Sequence, residues 1–224
     1  GYDRLPSRRP RLDMAASPVP EADVGVARLR AALIDRDYQE VVTYSFVDPG
    51  MQALIDPDLT PARLANPISA EMAVMRTSLW PGLLQTILYN QNRQQTRVRC
   101  FELGRVFLPQ AEGFHEEPML AGAAYGEAMA EQWGLPRRAV DFHDVKADME
   151  ALLVLAGIGQ VVRFRPGQHP ALHPGQTAEI HLEGGRIGLV GVLHPEAQSR
   201  LGLDRPVVLF ELKLAAWRAA LKLE

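Results

Sequence analysis

Arg76–Phe107 reads RTSLWPGLLQTILYNQNRQQTRVRCFELGRVF, and this stretch decides the fold. Thr77 and Ser78 are good N-cap residues, and Pro81 falls in a first helical turn, where its missing N–H costs little. Leu79, Leu83, Leu84, Ile87 and Leu88 then share one face of a helix. Asn90, Gln91, Asn92, Gln94 and Gln95 end it. Val98–Phe107 is a β-type run punctuated by Gly104. A capped amphipathic helix therefore runs directly into a strand.

Outward from this block the chain alternates helices with strands. A first helix is expected from about Glu21 to Arg36, followed by an alternating, β-branched strand over Glu40–Val47. A Pro-rich loop with a short helix covers 48–65. After the central block, residues 108–117 read as a hairpin loop into a strand at Met119–Tyr125. A short helix, then a strand at Val140–His143, should precede a helix capped by Asp144, with Val145, Met149, Leu152 and Leu153 buried and Gly157 as its stop. Strands follow at Val161–Arg165, Ala178–Leu182 and Ile187–Leu193, the last two joined by Glu183-Gly184-Gly185. A short helix from Pro195 to Leu201, a strand at Val207–Lys213 and a final helix from Leu214 complete the pattern. Hairpin-linked strands with about five helices give an α+β class, a largely antiparallel sheet flanked by helices.

Composition narrows the function. At 224 residues the chain suits one large domain or two small ones, and 47% hydrophobic with 23% charged residues is ordinary globular usage. The net charge of −3 argues against a surface that grips nucleic acid mainly through phosphates. Cys100 is the single cysteine, which excludes an intramolecular disulfide framework and a Cys-based zinc site, and fits a reducing compartment. No apolar run approaches the ~18 residues of a membrane span. Residues 1–20 hold four prolines and the basic cluster Arg4, Arg8, Arg9 and Arg11, which reads as an extended, solvated linker. The globular part is then 21–224.

The motifs resemble one family. Met75-Arg76-Thr77-Ser78-Leu79, Pro81-Gly82-Leu83-Leu84, Tyr89-Asn90-Gln91-Asn92-Arg93 and Phe101-Glu102-Leu103-Gly104-Arg105-Val106-Phe107 are similar to the catalytic-like domain of the β subunit of bacterial phenylalanine–tRNA ligase. Further blocks match in order: Gly1-Tyr2-Asp3-Arg4-Leu5-Pro6, Tyr38 to Phe46 (YQEVVTYSF), Asn66-Pro67-Ile68-Ser69, Asp141 to Lys146 (DFHDVK, with Ala147 where the family has glycine), His173 to Ala178 (HPGQTA), Gly188 to Pro195 and Phe210-Glu211-Leu212. The resemblance implies a class II aminoacyl-tRNA synthetase fold in degenerate form. It implies that the whole enzyme is a cytoplasmic α2β2 assembly that joins phenylalanine to its tRNA with ATP and magnesium. The α subunit would hold the active site and this domain would be its scaffold. The family's magnesium-binding acidic residues in β, and its editing and anticodon-binding domains, would lie outside this chain.

The residues themselves carry little chemistry. Arg99-Cys100-Phe101-Glu102 superficially fits the motif-two core of class II enzymes, which needs an arginine aimed at phosphate oxygens. Motif three needs a Gly-x-Gly loop before an arginine-started helix. Here Phe210 to Arg218 contains no glycine, and Arg218 comes a turn too late. His169 and His173 have helical metal-ligand spacing, but Pro166, Gly167, Pro170, Pro174 and Gly175 forbid a helix. Asp141, Asp144, Asp148 and Glu150 suit capping and dipole roles. Gly184-Gly185 is a turn, not a phosphate loop. Trp80, Trp133 and Trp217 suit core or interface positions better than base stacking. No catalytic, cofactor-binding or metal-binding residue is therefore assigned. A still-active ligase domain or a separate RNA-binding module are the competing classes.

One surface stands out. The first helix and the next strand occupy the place of class II motif one, which by resemblance pairs catalytic domains. The apolar arc of the helix (Val24, Val26, Ala27, Leu29, Leu33 and Ile34) is wider than one core-facing stripe needs. Val26, Leu29, Arg30, Leu33 and Tyr44 are accordingly the expected contact residues for the α subunit, unless both helix faces pack internally.

Overall fold

The computed structural model describes residues 2–6 and 25–215. The element order is α1 (Val26–Ile34), β1 (Gln39–Glu40), β2 (Phe46–Val47), α2 (Pro49–Ile55), β3 (Val74–Met75), α3 (Trp80–Gln91), β4 (Arg97–Pro109), β5 (Phe114–Gly126) and α4 (Phe142–Leu155). Then come β6 (Arg163–Pro166), β7 (Leu172–Leu182), β8 (Gly185–Leu193), α5 (Pro195–Leu201) and β9 (Val207–Lys213). The main sheet has the order β1-β4-β5-β9-β8-β7-β6, and only the β1–β4 pair is parallel. β2 and β3 form a separate antiparallel pair. The α+β class and the largely antiparallel sheet are as expected.

The centre of the sheet is covered on both faces. On one side Phe101, Leu120, Val190 and Phe210 pack with Leu29 and Leu33 of α1 and Val145, Met149 and Leu152 of α4. On the other, Cys100, Ala121, Leu189 and Leu209 pack with Leu83, Leu84 and Ile87 of α3, Ile55 of α2 and Ala197 of α5. This explains the unbroken apolar runs in β5 and β9. A strand buried on one face alternates, whereas a strand buried on both does not. Small residues admit the large ones: a Cβ on Gly122 would lie 2.3 Å from the Phe210 ring.

Several local expectations are corrected. The strand at Glu40–Val47 is two short strands, because residues 41–45 leave the sheet to satisfy a side-chain cluster described below. The helix after Thr77 and Ser78 starts at Trp80; the Thr77 hydroxyl bonds Gln52 and Asp56 instead of capping it, while the Ser78 hydroxyl accepts from Trp80 N at 3.1 Å. No strand forms at Val140–His143, and the segment before it is irregular apart from a Glu127–Ala139 bridge. Asp141, not Asp144, caps α4, and Asp144 closes the box by accepting from Asp141 N at 2.9 Å. The buried face of α4 is as read, and Gly157 (φ 76°) follows its C-cap. The first helix is described only from Val26, and residues 7–20 of the expected linker lie outside the described residues.

Candidate functional site

Three of the motifs meet at one buried ion pair. Arg76, which follows β3, places Nη1 2.9 Å from Glu102 Oε1 in β4, and both side chains are 3% exposed. Thr43 completes the cluster: its hydroxyl donates to Glu102 Oε2 at 2.6 Å and accepts from Arg76 Nη1 at 3.0 Å. Arg76 Nε donates to the Arg105 carbonyl at 2.9 Å. The glycines of the motifs make room for it. A Cβ on Gly104 would sit 2.4 Å from Arg76 Nη2, and one on Gly82 would sit 2.2 Å from Thr43 Oγ1. A buried charge is tolerable only when paired and hydrogen-bonded, and this arrangement meets both conditions.

A second cluster fixes the start of α3 to the end of β9. Glu211 accepts from Leu79 N at 3.0 Å and from the Ser78 hydroxyl at 3.1 Å. Burial pushes the Glu211 carboxyl up to about 7, although the Leu79 N–H favours its charged form. Trp80 Nε1 donates to the Phe210 carbonyl at 3.0 Å. Beside them Thr77 donates to Asp56 and accepts from Gln52 Nε2 at 2.5 Å. His169 Nε2 lies 3.2 Å from Asp56. Between these groups is a cavity of about 170 Å³, lined by Asp56, Ser78, His169, Glu211 and Lys213 among others. Ligand pockets are typically about 300–1,000 Å³, so this one is small for a nucleotide.

The arginine and glutamate of the motif-two-like stretch do not converge. Arg99 points to the α4 side, where Nη1 meets Asp148 at 2.9 Å and the Tyr38 hydroxyl donates to the same carboxylate at 3.0 Å. Glu102 points to the α3 side. Positions three apart on a strand face opposite ways, so the two cannot address one phosphate. Burial raises the Asp148 carboxyl, with Arg99 opposing. Cys100 is buried and its thiol is pushed up to about 12, which makes it inert.

Three of the histidines serve the backbone. His169, His173 and His194 each precede a proline, and each Nδ1 accepts from the N–H two residues on, at 3.2, 3.0 and 3.2 Å. Among the described residues no group of three His, Cys, Asp or Glu side chains is placed to hold a metal. No described helix is long and apolar enough to cross a membrane.

The residues expected to contact a partner differ in exposure. Leu29 and Leu33 are 1% and 0% exposed and belong to the domain's own core, because α1 packs against both the sheet and α4. Val26 is half-buried. Arg30 is held by Glu40 at 2.8 Å. Tyr44 is 66% exposed. Ile34, part of the expected apolar arc, is 55% exposed at the end of α1, and Val42, which the sequence reading did not single out, is 92% exposed. The alternation of Val42 and Tyr44 around Thr43 was the available signal. Trp80 is buried in the core, Trp217 lies outside the described residues, and Trp133 stands wholly exposed. Trp133 projects near a groove of about 440 Å³ lined by Arg97, Met129, Leu135, Arg138 and Arg205 among others.

Known proteins agree with this geometry. A family described as "Phenylalanyl tRNA synthetase beta chain CLM domain" matches residues 5–214. The phenylalanine–tRNA ligase β subunit of Pseudomonas fluorescens is 52% identical over 215 residues, which is 96% of this chain and 27% of that protein. The β subunits of Hahella chejuensis and Methylococcus capsulatus are 49% and 50% identical over similar spans. The chain thus spans about a quarter of the length of the curated relatives it matches. Among solved structures, the pyrrolysyl tRNA synthetase PylSc of Desulfitobacterium hafniense superposes with a TM-score of 0.64 at 16% identity, covering 85% of this chain and 63% of that one. That likeness establishes a class II synthetase-like fold. With fold, motifs and relatives in agreement, the chain belongs to the family of phenylalanyl-tRNA synthetase β-chain CLM domains.

Proposed function

We propose that the chain is a non-catalytic scaffold domain of the phenylalanine–tRNA ligase β subunit, supporting an active site held by the α subunit. The observation that carries this reading is the covered sheet. Helices pack on the central strands on both sides, and the cavity left beside β9 on the α3 side, about 170 Å³, is small for a nucleotide. Arg99 and Glu102, the motif-two candidates, are each committed to structural ion pairs on opposite faces. The motif-three glycine and its following arginine are missing from Phe210 to Arg218.

On this reading the α subunit of a cytoplasmic α2β2 enzyme is the partner. ATP, magnesium, phenylalanine and tRNA are handled by the whole assembly and not by this domain alone. The α subunit meets Ile34, Val42 and Tyr44, with Val26 and Arg30 at the margin. Val42 and Tyr44 are exposed apolar side chains two positions apart on one segment, and exposed apolar patches are a usual mark of a protein contact. The test is the mass of the complex formed by the β subunit with its α subunit. A stable heteromer is expected for the wild type, and Val42→Asp with Tyr44→Asp should shift it toward free subunits. A heteromer unaffected by both changes would place the contact elsewhere.

A further inference from the structure

Residues 41–45 cross from the main sheet to the β2–β3 pair without a ladder of their own. The backbone is tied at the ends, where Val41 N–H donates to the Phe101 carbonyl at 2.8 Å and the Ser45 carbonyl accepts from Arg76 N at 3.0 Å. Between these ties the anchor is Thr43. Its hydroxyl bridges Glu102 and Arg76, and its N–H points at Glu102 Oε1 at 3.4 Å. Extended backbone sends alternate side chains to opposite sides. Fixing Thr43 inward therefore turns Val42 and Tyr44 outward, and both are exposed.

This orientation opposes the hydrophobic preference of the segment. Val42 and Tyr44 would gain by turning into the apolar interior, and only the polar middle residue would lose. The cluster reverses that balance by giving the Thr43 hydroxyl both a carboxylate acceptor and a guanidinium donor in a buried site, where such bonds are strong. The glycine at position 82 leaves the space that Thr43 occupies.

We infer that Arg76, Thr43 and Glu102 act as positioning residues for partner binding, locking residues 41–45 so that Val42 and Tyr44 are presented ready-made to the α subunit. The inference rests on the reading of this edge as the α-subunit contact. A preorganised surface does not have to order its side chains when the partner arrives, and so binds more tightly than the same residues on a loose segment.

The test uses the full-length β subunit and its α subunit, with the equilibrium dissociation constant read by sedimentation. Thr43→Val removes the hydroxyl at similar volume and is expected to weaken assembly about tenfold. Thr43→Ser keeps the hydroxyl and should restore it. Ile87→Val, in the core on the α3 side, controls for lost stability and should leave the constant unchanged at a matched melting temperature. If Val42→Asp weakens assembly but Thr43→Val does not, the positioning role is wrong while the contact stands. If Val42→Asp and Tyr44→Asp both bind normally, the contact reading itself fails, and the positioning role with it. A second readout does not depend on the variants folding. In the free wild-type subunit, the Thr43 amide should exchange hydrogen at least about tenfold more slowly than the amides of Val42 and Tyr44. Equal rates would overturn the lock.

Discussion

The Arg76 guanidinium and the Glu102 carboxylate form a buried ion pair at 2.9 Å, joining the residue after β3 to the middle of β4. Neither group has water to fall back on, so each depends on the other. Removing one partner leaves an uncompensated buried charge, which typically costs about 3–5 kcal/mol. Arg76→Met and Glu102→Leu are each expected to destabilise the chain on that scale in urea unfolding. The double variant should cost clearly less than the sum, because no charge is then left unpaired. Additive losses would mean that the two residues act independently.

Gly82 lies inside α3, where glycine ordinarily costs about 1 kcal/mol relative to alanine. Gly82→Ala would therefore stabilise an unconstrained helix. Here the added methyl would stand 2.2 Å from Thr43 Oγ1 and 2.7 Å from its Cβ, so it should instead destabilise by about 1–3 kcal/mol. Combining it with Thr43→Gly should recover part of that loss. A stabilised Gly82→Ala variant would show that Thr43 is free to move.

Glu211 makes stability depend on pH in an unusual direction. Its folded carboxyl titrates near 7 against an ordinary 4.5, because burial disfavours the charged form. The folded chain therefore holds a proton that the unfolded chain has already released. Its contribution is fully present below about pH 4.5 and is lost as the pH rises to about 7. The span is on the order of 3 kcal/mol, at about 1.4 kcal/mol per pH unit. Urea unfolding at pH 5 and pH 7.5 should show the wild type losing stability relative to Glu211→Gln over that interval. Parallel pH profiles for the two proteins would rule out this assignment.

Much of the architecture was legible because it is local. The α3 periodicity, the β9 run, the buried stripe of α4 and the Glu183-Gly184 turn between β7 and β8 depend on neighbours a few residues away. The break at residues 41–45 was not legible. Its sequence alternates like any strand, and what interrupts it is a side-chain contact with residues 33 and 59 positions away. Leu29 and Leu33 were read as an outer face because a wide apolar arc has two explanations. Helix α1 has neighbours in both the sheet and α4, and so buries Leu29 and Leu33 while Ala27 and Ile34 of the same arc stay exposed. The cap of α4 was misplaced by three residues because DFHD offers an aspartate at both ends, and only the geometry shows which carboxylate reaches the free N–H groups. At the candidate site the glycines at 82 and 104 could be read as motif residues, but the side chains they make room for could not.

The most direct test of the scaffold reading is phenylalanine-dependent ATP–pyrophosphate exchange by the purified chain without its α subunit. The expected result is no exchange above background, with activity appearing only when the α subunit and the rest of the β subunit are supplied. Robust exchange by the chain alone, lost on Arg99→Gln, would contradict it and show that a working class II site survives on this sheet.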